Sequence, residues 1–260
     1  MHIKYLKKLN TILQTLRANH AKGTKQIAVL IDPDSVINTE SLIHLCKLCN
    51  ANRIDYILVG GSLMTTGFFD ECIGIIKSHT EIPVIIFPGD VMQVSNKADA
   101  ILFLSLISGR NPDLLIGKQV LAAPVLKKSG IEVIPTGYIL IDGGKGSSVS
   151  YMSNTTPIPA EKSSIAACTA LAGEMLGLQI TYMDAGSGAL NPIMPKVIKA
   201  VKGQVKTPIF IGGGIRSAEA AVAACTAGAD VVVIGNAFEK NPENMQFISN
   251  AVHSLNSETK

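Results

Sequence analysis

Charge is scarce in this sequence: only 17% of residues are Asp, Glu, Lys or Arg, and the formal net charge is +3. Lys and Arg are scattered and never form a run, which excludes the basic footprint of a nucleic-acid binder and leaves room only for a local anion site. Long apolar runs are missing as well. Hydrophobic residues make up 47% of the chain and mean hydropathy is +0.32, yet no uncharged apolar stretch reaches the roughly 18 residues of a membrane span. The opening stretch has neither a continuous signal-peptide core nor a small-residue cleavage site, and reads as an amphipathic leading helix over residues 1–22. Cysteine is limited to Cys46, Cys49, Cys72, Cys168 and Cys225. An odd number of cysteines in helix-like or apolar stretches argues for reduced thiols and a cytoplasmic protein, not a disulfide framework. Cys46 and Cys49 have redox or zinc spacing, but with no second pair they read as buried thiols. The histidines lie away from the expected site, and none is an obvious acid or base.

Two nucleotide signatures are also absent. The first apolar burst ends in Asp32-Pro33-Asp34, where a dinucleotide fold would carry G-x-G-x-x-G. In the stretch Gly143-Gly144-Lys145-Gly146-Ser147-Ser148 the lysine precedes the glycine, so it is no P-loop.

What the 260 residues do contain is alternation. Near-continuous apolar bursts fall at residues 26–31, 55–59, 84–87, 101–104, 132–140, 179–183, 208–211 and 230–234. Continuous rather than alternating runs are expected of parallel strands buried on both faces. Helical patterns follow at 39–52, 68–78, 112–128, 159–176, 192–201, 218–227 and 242–255, several opening on Pro or a capping residue and closing on Gly. The expectation is one α/β domain over residues 1–260, a (β/α)8 TIM barrel. After the third strand only residues 91–97 are available, so that helix is short or replaced by a loop. Residues 142–159, rich in Gly, Ser, Thr and Pro, form either a cover over the mouth or a plain surface excursion.

Active sites of such barrels lie at the carboxyl ends of the strands. There the chain places Asp32, then Gly60-Gly61-Ser62, Asp184-Ala185-Gly186-Ser187-Gly188, Gly212-Gly213-Gly214 and Gly235-Asn236. Glycine lets the backbone approach an anion, and the following helix offers unpaired N–H groups, so the later segments read as a phosphate cradle or as tight turns. Asp32 is suited to a hard divalent cation with Ser62 as a second oxygen, or else caps its own turn, with Asp34 or Ser35 starting the next helix. Of these Asp34 is the favoured cap. Tyr182 and Asp184 share a strand face; Asp184 is a general base or a turn aspartate.

The stretches LIDPD from Leu30, VGGS from Val59, LFLSLISGRNP from Leu102, PTGYILIDGG from Pro135, TALAGEMLG from Thr169, YMDAGSGA from Tyr182, GGGI from Gly212 and IGNAFE from Ile234 resemble the geranylgeranylglyceryl phosphate synthase family. The likeness is to its second group, related to heptaprenylglyceryl phosphate synthase, and spans nearly the whole chain. It implies a modified TIM barrel that joins sn-glycerol 1-phosphate to a polyprenyl diphosphate with Mg2+, in membrane ether-lipid synthesis. Carried over by motif, Asp32 and Ser62 hold the metal. Tyr182, Met183, Asp184, Ala185, Gly186, Ser187, Gly188, Gly213, Gly214, Gly235 and Asn236 hold glycerol phosphate, with Asp184 catalytic. Where the family usually has glutamate, this chain has Asp184. Lys145 and Arg110 are candidates to meet the diphosphate, and Phe87, Phe103, Leu106 and Tyr138 to wall an apolar trough. The resemblance also implies a homo-oligomer, dimer or hexamer, with transient membrane contact for product release. The competing readings are a sugar-phosphate isomerase on the same barrel and a prenyl-lipid-binding protein without turnover.

Overall fold

A computed structural model describes residues 11–235, 237–238 and 241–256. Its eight strands are β1 (Gln26–Ile31), β2 (Tyr56–Val59), β3 (Val84–Ile86), β4 (Ala100–Leu106), β5 (Glu132–Leu140), β6 (Ile180–Asp184), β7 (Ile209–Gly212) and β8 (Val231–Ile234). All neighbours pair in parallel, and β1 pairs with β8, so the sheet closes into a barrel. The alternation of Cβ direction divides each apolar run between two cores. One parity faces the helices, as Ile27, Val29 and Ile31 of β1 and Ile209 and Ile211 of β7 do. The other parity fills the barrel, with Tyr56, Leu58, Ile85, Leu102, Tyr182 and Phe210 in mutual contact. Both faces are therefore dry, which is why the runs are continuous.

Among the described residues the helices are α1 (Ile12–Lys22), α2 (Thr39–Ala51), α3 (Phe69–His79), α4 (Lys118–Ser129), α5 (Ser148–Ser153), α6 (Ser163–Met175), α7 (Pro195–Lys202), α8 (Ala218–Ala227) and α9 (Asn244–Ser254). The expected leading helix is present from Ile12, started by a capping box between Thr11 and Gln14; residues 1–10 lie outside the described residues. It closes the barrel floor. Ile12 and Leu16 join the inner core, and the Glu132 carboxylate accepts from the backbone N–H groups of Ile12 (2.7 Å) and Leu13 (3.0 Å).

Two departures shape the mouth. Between β3 and β4 there are turns and no helix, as the short spacing predicts. The helix expected from Pro112 opens instead with a wide i→i+5 turn over Asp113–Gly117 before α4 begins. The stretch after β5 carries α5, held by a capping box between Ser147 and Ser150.

Truncating the floor tests its role. Leu16→Ala should lower the unfolding free energy by about 2–5 kcal/mol, read by urea denaturation, whereas a helix merely resting outside the barrel would lose far less.

Candidate active site

The carboxyl ends of β6 and β7 meet without side chains between them. Gly213 and Gly214 have left-handed φ of 80° and 73°. A Cβ on Gly213 would stand 2.7 Å from Asp184 Oδ1 and 2.8 Å from the backbone nitrogens of Ala185 and Gly186. Only glycine fits at 213, where a side chain would overlap the Asp184 carboxylate and the backbone that follows it.

Asp184 points into the barrel mouth and is buried. Its Oδ1 accepts from the Gly186 N–H and its Oδ2 from the Tyr138 hydroxyl, both at 2.7 Å. Burial raises the Asp184 pKa, and the two donors pull it partly back. Burial also raises the Tyr138 hydroxyl well above its ordinary value, with the Asp184 charge adding to the effect, so Tyr138 stays a neutral donor. Tyr182 shares this face and stacks on Phe87 with ring centroids 4.8 Å apart. Met183 faces the other way: its side chain is fully buried in the helix-facing core and is removed from the mouth. Ala185 belongs to that core too. Ser187, Gly188, Gly213, Gly214 and Gly235 border the cavity; Gly186 is near it through its hydrogen bond to Asp184, and Asn236 lies outside the described residues.

Asp32 and Ser62 also border this cavity. Asp32 is half-buried, caps the short 3-10 turn Pro33–Ser35 through the Asp34 N–H at 3.0 Å, and has its pKa raised by burial. A Cβ on Gly61 would fall 2.8 Å from Asp32 Oδ1, so the two strand ends are in direct contact. Asp34 is not the cap of α2; Asn38 is. The Asp34 carboxylate instead accepts from the N–H and hydroxyl groups of Thr65 and Thr66, and those bonds lower its pKa to about 2. Sequence reasoning missed Gln93. Its amide binds Gly61 O at 2.7 Å and Gly89 N at 3.1 Å, latching the loop after β3 onto the loop after β2.

The cavity measures about 570 Å3. Phe87, Phe103, Leu106 and Tyr138 all wall it, joined by Leu104, Leu114, Ala122 and Leu126 toward α4. The missing helix after β3 leaves that side open. Of the two expected cations, Lys145 places Nζ 3.5 Å from the point where a Cβ on Gly188 would stand. Arg110 is displaced: it donates to the carbonyls of Ile107, Ser108 and Gly109 and borders a separate groove. A guanidinium whose own loop carbonyls lie within reach folds back onto them. Lys118, paired with Asp90, and Arg216, bonded to the carbonyls of Ala189 and Leu190, border the cavity instead. Neither was visible as a site residue in the sequence.

Metal fit is decided by the donors present. Among the described residues no three His, Cys, Asp or Glu side chains cluster, so the chain offers no complete cage. One desolvated carboxylate and a neighbouring hydroxyl at a cavity wall suit a hard cation that takes its other oxygens from phosphate and water. The other chemistry-bearing types are satisfied: His20 pairs with Asp230 and His253 with Asp55, and burial lifts the Cys46 thiol to about 11 and the Cys49 thiol to about 12.

The PcrB family matches residues 21–252 of this sequence. The chain belongs to the PcrB family. Among relatives of this PcrB protein, a geranylgeranylglyceryl phosphate synthase of Chitinophaga pinensis is 54% identical over 245 residues, 94% of this chain and 97% of the relative. One of Thermococcus kodakarensis is 43% identical over 213 residues, covering 82% and 83% of the two chains. The crystal structure of (S)-3-O-geranylgeranylglyceryl phosphate synthase from Thermoplasma acidophilum, in complex with the substrate sn-glycerol-1-phosphate, superposes with a TM-score of 0.89 at 33% identity. It covers 95% of this chain and 100% of that one.

The raised Asp184 pKa has a measurable consequence. The native chain keeps a proton on Asp184 that the unfolded chain loses near pH 4, so folding stability falls as pH rises from about 4 through the native value. Asp184→Asn keeps both hydrogen bonds, since the Tyr138 hydroxyl can turn to accept. The variant should therefore have a higher urea midpoint than the parent at pH 7, with the gap closing below about pH 4. A lower midpoint at pH 7 would mean the two donors outweigh burial.

Proposed function

We propose that the chain is a magnesium-dependent prenyltransferase that joins sn-glycerol 1-phosphate to geranylgeranyl diphosphate through an ether bond, releasing diphosphate. One observation carries this reading. A buried, hydrogen-bonded carboxylate and a half-buried one, at the ends of β6 and β1, open onto a single cavity that continues along an apolar wall of Phe103, Leu104, Leu114 and Leu126. Membership in the PcrB family and the likeness to named synthases support it.

The roles follow from placement. Backbone N–H groups around Gly186, Gly188, Gly213 and Gly214 surround the glycerol phosphate; hydrogen bonds to a charged group contribute about 1.5–3 kcal/mol each. Gly235 borders the same cavity, and on this reading Gly235 and Asn236 also bind the glycerol phosphate. Asp184 Oδ2 accepts the proton of the 3-hydroxyl as the hydroxyl oxygen bonds to the terminal allylic carbon and the carbon–diphosphate bond breaks. Tyr138 fixes the carboxylate, and the Tyr182–Phe87 stack keeps water from this side. Asp32 and Ser62 would hold Mg2+. When bound, that ion offsets the negative charge building on the leaving group. Lys118 and Arg216 bring positive charge to the same cavity. The isoprenoid tail lies along Phe103, Leu104, Leu114 and Leu126, where burial stabilises it by about 0.8 kcal/mol per methylene-sized group. On the same reading residues 1–260 are one cytoplasmic domain and the protein a homo-oligomer, dimer or hexamer. Among the described residues no helix is long and apolar enough to cross a membrane.

Incubation with glycerol 1-phosphate, geranylgeranyl diphosphate and Mg2+ should yield prenylated glycerol phosphate by mass spectrometry; no product at any donor length would remove this reading. Asp32→Ala should abolish Mg2+-dependent turnover and leave glycerol phosphate binding, followed by calorimetry, within about threefold. Parallel loss of both would assign Asp32 a structural role.

A further inference from the structure

Asp34 touches both of the strand ends that carry the oxygen donors assigned to the cation. Its backbone N–H donates to Asp32 Oδ1 at 3.0 Å, and the short turn Pro33–Ser35, with Pro33 buried, fixes its direction from the end of β1. Its side chain reaches across to the next connection. Oδ2 accepts from the N–H and hydroxyl of Thr65 at 2.5 and 2.8 Å, and Oδ1 from the N–H and hydroxyl of Thr66 at 3.3 and 2.6 Å. One residue therefore holds Asp32 through its main chain and the Ser62 connection through its carboxylate.

That connection has little else to hold it. Among the described residues, 61–67 make no backbone–backbone hydrogen bond and belong to no helix or strand. A segment without a ladder of its own keeps its shape through the side chains that reach it. Gln93 supplies one anchor, at Gly61, and Asp34 supplies the other, at Thr65 and Thr66. The two anchors bracket Ser62. Asp34 is not itself a candidate ligand: Asp32 and Ser62 border the cavity and Asp34 does not. A carboxylate has about four acceptor positions, and four donors already fill those of Asp34.

We infer that Asp34 is a positioning residue for the cation, whose double grip sets the distance between Asp32 and Ser62 and so the affinity of that pair for Mg2+. The inference rests on the proposed metal role of Asp32 and Ser62. Groups that orient the ligands of a metal ordinarily change its affinity by about 10–100-fold when altered. In Asp34→Asn one oxygen becomes an NH2 group, which cannot accept from a threonine N–H, so one of the two threonines is released.

The test uses the full chain with Mn2+ as the probe and no prenyl donor, free Mn2+ being read by electron paramagnetic resonance. Asp34→Asn should bind Mn2+ about tenfold more weakly than the parent. Thr65→Val/Thr66→Val, which removes two hydroxyl donors and leaves both N–H bonds, should shift affinity in the same direction by less. Because these changes act on one contact, combining all three should weaken binding by less than the product of the separate effects. Glycerol phosphate binding, followed by calorimetry, should stay within about threefold of the parent, and in turnover the KM for Mg2+ should rise with kcat at saturating Mg2+ retained. If the parent binds no Mn2+, the metal assignment fails and this inference with it. If the parent binds Mn2+, Asp32→Ala loses it and Asp34→Asn binds as the parent does, the inference alone is overturned. A fall in kcat with unchanged KM for Mg2+, or an equal loss of glycerol phosphate binding in Asp34→Asn, would overturn it as well.

Discussion

Backbone meets backbone where β6 and β7 end, and the spacing there admits no side chain. A methyl group on Gly213 would overlap the Asp184 carboxylate and the N–H groups that follow it. This contact does more than permit a turn. It seals one side of Asp184, so that the carboxylate loses water and depends on the Gly186 N–H and the Tyr138 hydroxyl for its hydrogen bonds. The raised pKa and the fixed direction of the oxygens both follow from that approach.

The barrel divides its work between its two ends. At the floor, α1 inserts Ile12 and Leu16 into the inner core and Glu132 satisfies the first N–H groups of the helix. Nothing polar need enter there. At the mouth, the inner parity of β5 and β6 brings in Tyr138, Tyr182 and Asp184, and the aromatic pair forms the boundary between dry core and cavity. Replacement of the helix after β3 by turns leaves one flank without cover. That flank becomes a long apolar opening toward α4, whereas the opposite side, built from glycine loops, is short and polar. An elongated, half-apolar reactant fits this asymmetry better than a small sugar phosphate does.

The strands were legible because a parallel strand buried on both faces cannot hide its composition; residues 26–31 and 132–140 have the same bounds in sequence and structure. The strand ends were legible for the same reason, since the first polar or glycine residue after each run marks the rim. What was not legible depends on register or on the turn of a long side chain. The Tyr138–Asp184 bond requires Leu140 to lie opposite Asp184 and Tyr138 opposite Tyr182, a match that no single strand reveals. Gln93 looks like any loop glutamine until the loops after β2 and β3 are side by side. Arg110 and Arg216 have equal charge and both follow strands, yet one folds onto its own carbonyls away from the mouth and the other borders it. Met183 shows the reverse error: a motif read as a block ignores that its middle residue faces the helices.

An aspartate at position 184 carries its oxygens one methylene nearer to the strand than a glutamate would. Shortness would be a defect if both oxygens were already saturated, and they are not. A carboxylate has about four acceptor positions; Oδ1 uses one on Gly186 and Oδ2 one on Tyr138. Each oxygen can therefore accept a further donor without surrendering the bond that orients it. Tyr138, whose own ionisation is suppressed by burial, cannot compete for an arriving proton and acts as a fixed donor. The shorter side chain also has one torsion fewer to immobilise, so less conformational freedom is lost when it is held in place. A shorter reach is thus exchanged for a better-defined direction, and the tyrosine is what makes that exchange workable.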